Sequence, residues 1–129
     1  MTQYVIVRVN DKLIPEFQIN YDSNNKVAER NYISEWSEIN IKSKQTLYLI
    51  VSASLVLNSQ VQIPSKNEEV IKQSIPFAVE EDLADEIVVN HFAYTQLRDG
   101  VFIVSTIKKS IIDQLIENLD KHNLKAKGL

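Results

Sequence analysis

A mixed α/β or α+β fold in two consecutive units is what this sequence predicts, and three observations carry the prediction. Leu47-Tyr48-Leu49-Ile50-Val51 is continuously apolar, as in a strand covered on both faces. Leu55, Leu57, Val61 and Ile63 alternate with Asn58, Gln60 and Gln62, as in a strand with one wet face. Ile111, Ile112, Leu115, Ile116 and Leu119 recur at helical spacing and mark one face of an amphipathic helix. Strand and helix periods in one short chain place it among the layered α/β or α+β domains.

The elements follow in order. Tyr4 to Val9 is a β-rich run, Asn10-Asp11-Lys12 a turn, and Glu16-Phe17-Gln18-Ile19 an alternating return strand, which together predict a hairpin. Asp22, Ser23, Asn24 and Asn25 tolerate turn geometry and lead into a third strand from Val27 to Ile33. Ser34 is placed to cap a short helix holding Trp36 and Ile39, after which Leu47 to Val51 should form a central strand. The first unit, residues 1–52, therefore reads β-β-β-α-β.

A second unit, residues 53–129, opens on the strand around Val61. Ser65 and Glu68 have the spacing of a capping box, in which the hydroxyl accepts from the amide three residues on and the glutamate reaches back, so a helix is expected there. Ile71, Ile75 and Ala78 share one stripe, into which Asp82 would fall if the helix stayed straight. Pro76 lacks the amide that would bond the Lys72 carbonyl. Two readings are open: a kink near Ile75 that re-aims Phe77, Val79 and Leu83, or a helix end followed by a second short helix. Val88 to Leu97 and Val101 to Ile107 flank Asp99-Gly100, whose tolerance of positive φ suits a tight hairpin. The final helix carries Asn123 where a left-handed terminator is needed. The second unit reads β-α-β-β-α, with no internal repeat and no Pro/Gly linker before it.

The 129 residues include 14 basic and 17 acidic side chains, a formal net charge of −3. That balance gives no electrostatic footprint for nucleic acid or anionic lipid, so nucleic acid is not an expected partner. Cysteine is absent, which removes disulfides and thiolate metal sites and fits a reducing compartment. No run reaches the roughly 18 apolar residues that a membrane helix needs, and Met1-Thr2-Gln3-Tyr4 does not open a signal peptide. The chain as written is expected to be soluble, and at this length it can bury roughly two-thirds of its unfolded surface.

Residues for chemistry are scarce. Gly100 and Gly128 are the two glycines, so the glycine-rich backbone cradles that approach phosphates cannot be built. His91 and His122 have no two-ligand spacing; His91 reads as a hydrogen-bonded structural residue, and His122 as a partner of carbonyls at the end of the last helix. Ser52, Ser54, Ser59 and Ser105 have neither a neighbouring base nor a strand-turn-helix elbow, so no catalytic residue is assigned. Trp36 and the tyrosines lack a basic stripe and read as core or rim packing rather than a stacking platform. The one asymmetric charged feature is Glu80, Glu81, Asp82, Asp85 and Glu86. As a solvated helix end it needs no function, and it lacks the Asp-x-Asp-x-Asp-Gly loop of a calcium site, so no metal is expected. Its functional reading is a docking surface for a basic partner, and at a helix C-terminus the carboxylates would oppose the macrodipole.

The run Gln73-Ser74-Ile75-Pro76-Phe77-Ala78-Val79-Glu80-Glu81, preceded by Ile63-Pro64 and followed after an acidic spacer by Asn90-His91-Phe92, resembles the cytoplasmic domain of the type II secretion system L protein. The likeness extends over nearly the whole chain, up to Leu124–Leu129. It implies a partial actin-like or ribonuclease H-like lobe with a subdomain inserted into it, and a fragment of a longer bitopic protein at the cytoplasmic face of the bacterial inner membrane. It also implies a non-enzymatic scaffold without cofactor, which recruits the secretion ATPase through that enzyme's N-terminal domain and has the M protein as its membrane companion. Exposed edge strands in a truncated lobe offer a route to homodimers. The alternative is a fragment of a nucleotide-binding actin-like ATPase of the pilus-assembly type. That family places an Asp followed by Gly in the first hairpin, where this chain has Asp11-Lys12, so Asp11 reads as a turn residue. An unrelated α+β interaction domain is the third reading.

Overall fold

The computed structural model describes residues 2–128. Met1 and Leu129, the expected outer ends of the two units, lie outside the described residues. In chain order the elements are β1 (Thr2–Val9), β2 (Pro15–Asp22), β3 (Val27–Tyr32), β4 (Thr46–Val51), β5 (Leu57–Gln62), α1 (Glu68–Ala78), β6 (Asn90–Arg98), β7 (Val101–Lys108), α2 (Lys109–Lys121) and β8 (Ala126–Gly128). Single 3-10 turns occupy Trp36–Glu38, Ala53–Leu55, Glu80–Asp82 and Ile87–Val89. The chain divides into two compact units, Met1–Ser52 with Gln114–Leu129, and Ala53–Asp113. The sequence reading ran the second unit on to 129. Most of α2 and all of β8 instead group with the first, because β8 pairs there.

The first unit is built on a mixed sheet in the order β3-β2-β1-β4-β8. β1 and β3 each run antiparallel to β2, while β1–β4 and β4–β8 are parallel. Its first two turns use the same device. The Asn10 Oδ1 accepts from the amides of Lys12 at 2.9 Å and Ile14 at 3.1 Å, and the Asp22 Oδ1 from those of Asn24 at 2.8 Å and Lys26 at 3.0 Å. Each bond pair holds the residue three positions on in the left-handed region, Leu13 at φ 61° and Asn25 at φ 61°. Asparagine tolerates that conformation, whereas leucine does so at a steric cost of about 1 kcal/mol. The Trp36 Nε1 donates to the Leu13 carbonyl at 3.0 Å and helps hold it.

Val5, Val7 and Val9 are fully buried, and the parallel register sets Leu47 and Leu49 beside Val5 and Val7 on that face. Leu115 and Leu119 of α2 are buried in the same unit. The other face is different. Ile50 pairs with Arg8 there and is 45% exposed, so the apolar run of β4 marks an interior strand with one covered face, not two. Tyr4 stacks on Tyr21 with ring centroids 4.8 Å apart and meets Tyr48 edge-on at 6.4 Å, so these tyrosines pack on the sheet surface as expected. The expected helix after Ser34 is a single 3-10 turn, in which Trp36 and Ile39 are buried. Ser34 does not cap it; its amide and hydroxyl both donate to Glu38 Oε1.

The second unit is an antiparallel sheet, β5-β7-β6, with α1 against one face. Its core is Val61, Ile63, Ile71, Ile75, Val79, Phe102 and Val104, with Leu83 and Phe92 partly buried against it. The helix starts two residues later than the capping-box reading requires. Asn67 is the N-cap, accepting from the Glu69 and Val70 amides, while the Ser65 hydroxyl accepts from Asn67 N. Of the two readings at Pro76, the helix end is the one observed, since α1 stops at Ala78 and a 3-10 turn begins at Glu80. No re-aiming is needed: the buried stripe is Ile71, Ile75 and Val79, four residues apart, while Ala78 is exposed and Phe77 is 69% exposed. Gly100 closes the hairpin at φ 74°, and its carbonyl accepts from Ile63 N at 2.8 Å.

The α2 helix ends as the sequence predicts. Asn123 takes φ 55°, Leu124 N bonds the Leu119 carbonyl at 2.9 Å and Asn123 N the Asp120 carbonyl at 3.2 Å, the two bonds of a Schellman motif. That stop turns the chain into β8, which begins at Ala126 and pairs with β4.

Candidate docking surface and cleft

The five carboxylates singled out in the sequence are all exposed. Glu80, Glu81 and Asp82 form the 3-10 turn after α1; Asp85 lies in the bend that follows, and Glu86 precedes the turn at Ile87–Val89. Because α1 ends at Ala78 with Val79 as its C-cap, all five follow the helix; Glu80 comes directly after the cap, where a carboxylate still opposes the dipole, and the effect fades along the chain towards Glu86. The group does not act as one cluster. Asp82 and Asp85 line a cleft of ≈ 340 Å³, Glu80, Asp85 and Glu86 line a neighbouring hollow of ≈ 550 Å³, and Glu81 lines neither.

The cleft lies within the second unit, and its floor is the end of the sheet. Leu57 of β5, Asn90 of β6, and Thr106 and Lys108 of β7 line it, with Leu83 on the acidic side. Lys108 Nζ reaches Asp85 Oδ2 at 3.2 Å. Asn90 is buried, and its Nδ2 donates to the Glu86 carbonyl at 2.9 Å, which ties the acidic segment to the start of β6. Thr106 is 4% exposed, and its Oγ1 has no hydrogen-bond partner among the described residues. A buried hydroxyl without a partner costs about 1–3 kcal/mol, so this atom is a buried polar group that the described residues leave unpaired. Sequence reasoning passed over Thr106 and Lys108, and took Asn90 only as part of the Asn90-His91-Phe92 run. A signal was there: Phe102, Val104 and Thr106 alternate on the core face of β7, and the third is a hydroxyl where the first two are apolar.

The remaining candidates are separate. Asp11 is exposed in the first turn, which Asn10 organises, and lies in the other unit from the cleft. His91 is exposed rather than hydrogen-bonded, with no partner for its ring among the described residues, so its expected bonded role is not met. The His122 Nδ1 donates to the Asn118 carbonyl at 2.9 Å, as its place at a helix end predicts. Ser59 belongs to β5 and Ser105 to β7, where the Ser105 Oγ donates to Asn58 Oδ1 at 2.7 Å. Among the described residues there is no group of three or more His, Cys, Asp or Glu arranged to hold a metal, and no helix is long and apolar enough to cross a membrane.

Comparison with known proteins places this architecture. Residues 14–129 match the family model described as type II secretion system, protein L. A solved structure of the cytoplasmic domain of EpsL, an inner membrane component of the type II secretion system of Vibrio cholerae, superposes with a TM-score of 0.79 at 14% identity over 96% of this chain. A chain of a PilM-PilN type IV pilus biogenesis complex superposes with a TM-score of 0.73 at 12% identity over 97% of this chain. The chain spans 55% of the first and 46% of the second. No match was found among curated protein sequences. At these identities the superpositions establish the fold, and the mixed α+β class read from the residue pattern stands, as does the actin-like architecture that the resemblance implied.

Proposed function

Since the chain belongs to the type II secretion system protein L family, we propose that it is a non-enzymatic scaffold domain that recruits the secretion ATPase to the inner-membrane platform. The observation that carries the reading is the family match over residues 14–129. The exposed carboxylates Glu80, Glu81, Asp82, Asp85 and Glu86 supply the surface: a row of unburied negative charge suits steering and registering a basic partner rather than turning over a substrate. The partner is the N-terminal domain of the ATPase, and the M protein would associate through a longer parent chain carrying a membrane helix. On this reading the described domain works at the cytoplasmic face of the bacterial inner membrane, and exposed edge strands such as β3 leave a route to homodimers.

Calorimetric titration of the ATPase N-terminal domain into the longer cytoplasmic region tests the reading. Saturable binding that weakens with salt, and weakens further when the five carboxylates are replaced by amides, is the expected result. Absence of binding by that longer region would defeat it. The superposition on the pilus complex chain favours one second reading, a fragment of a nucleotide-binding ATPase of the pilus-assembly type. It requires a magnesium-dependent nucleotide signal in the extended protein that Asp11→Ala abolishes.

A further inference from the structure

We infer that the cleft beneath the acidic segment is a subsite for a single guanidinium side chain of the docking protein, with the Thr106 hydroxyl as its innermost contact. This inference rests on the proposal that the acidic edge docks a protein, and it names the chemistry of that contact. Three observations converge. Thr106 belongs to the cleft lining, and its Oγ1 is buried and unpartnered among the described residues. Asp82 and Asp85 line the same cleft and outnumber its one cation, Lys108. Leu55, Leu57 and Leu83 supply an apolar wall. An arginine matches all three, because its stem packs on apolar surface while its planar head offers five donors, enough for carboxylates and a hydroxyl oxygen together. A lysine ammonium is a compact, more strongly hydrated charge and cannot span separate acceptors as well.

Lys108 defines the competition. Its bond to Asp85 is made by two partly exposed groups, so an arriving guanidinium can share or displace it at small cost.

The test uses the intact protein, isotope-labelled, titrated with a glycine-arginine-glycine tripeptide blocked at both ends, and with its lysine and citrulline counterparts. The arginine peptide should give saturable amide shifts at Thr106, Asn90 and Leu57, the lysine peptide a several-fold weaker response, and citrulline, which keeps the shape without the charge, none. Thr106→Val should weaken the arginine peptide roughly tenfold while raising the thermal midpoint, because it removes the orphaned hydroxyl. Thr106→Ser should restore binding. An equal response to citrulline, unchanged affinity in Thr106→Val, or an ordered water at Thr106 with no arginine-dependent shift would each overturn the subsite. The ATPase arm separates the two readings. Capture of the ATPase domain with no peptide response at Thr106 overturns the subsite and leaves recruitment standing, whereas a peptide response without capture by the longer region overturns recruitment and leaves the guanidinium subsite standing.

Discussion

Gln18 on β2 and Thr106 on β7 are equally buried polar side chains, each 4% exposed, and the two units of the molecule treat them in opposite ways. The Gln18 Nε2 donates to Asn20 Oδ1 and to the Asn40 carbonyl, both at 2.9 Å, and its Oε1 accepts from Asn40 N at 3.2 Å. The amide thereby clips the segment before β4 onto the sheet. Thr106 makes no such bond among the described residues and lines a cleft. A buried polar group that is fully paired serves the fold, and one left unpaired beside open space is a cost that folding alone does not explain. On the reading proposed above, the first unit is the frame and the second is where a partner's chemistry has somewhere to go.

The largest expected effect breaks the satisfied half of that contrast. Gln18→Met keeps the volume and removes three hydrogen bonds; urea unfolding should show a loss of about 2 kcal/mol, since Asn40 is exposed and water can take over part of its bonding. A loss near zero would mean the clip is ornamental and would erase the difference between the units. Thr106→Val should do the reverse and gain about 1 kcal/mol by the same measurement, because an orphaned hydroxyl gives way to an isosteric methyl. Destabilisation there would show the hydroxyl to be paired in solution. Next comes the cap. Asn67→Ala should cost about 1 kcal/mol, and Ser65→Ala no more than a few tenths, which separates the observed N-cap of α1 from the capping box read in the sequence.

That last pair shows where the sequence was legible and where it was not. Alternation gave β2 and β5, Asp99-Gly100 gave the β6–β7 turn, and Asn123 gave the end of α2, because each is set by one local rule acting on adjacent residues. Ser65 and Asn67 both satisfy a capping rule, and only the packing of Ile71, Ile75 and Val79 decides which residue starts the helix. The stripe turns on Val79 rather than Ala78, a difference of one residue that takes Asp82 off it and leaves nothing for a kink to repair. The pairing of β8 with β4 joins residues nearly eighty positions apart, and no local rule reports on it. For the candidate site, the sequence shows which carboxylates cluster. It could not show that two of them share a cleft with a hydroxyl on β7, since a missing hydrogen bond is a property of the tertiary surroundings.

The smallest effect on stability is expected at Lys108, and it sharpens the contrast most. Its ammonium lies 3.2 Å from Asp85 with the two side chains 59% and 40% exposed, a pair worth at most about 0.5 kcal/mol after solvent screening and side-chain entropy. Lys108→Ala should therefore leave the urea midpoint almost unmoved. It also removes the one cation lining the cleft, so Asp82 and Asp85 face an incoming guanidinium without a competitor, and the arginine peptide should bind several-fold tighter. A frame residue cannot behave this way, because in a paired network stability and geometry are lost together. If Lys108→Ala instead weakens the peptide, the bridge to Asp85 is what shapes the cleft, and the second unit would be holding its polar groups for the fold just as the first one does.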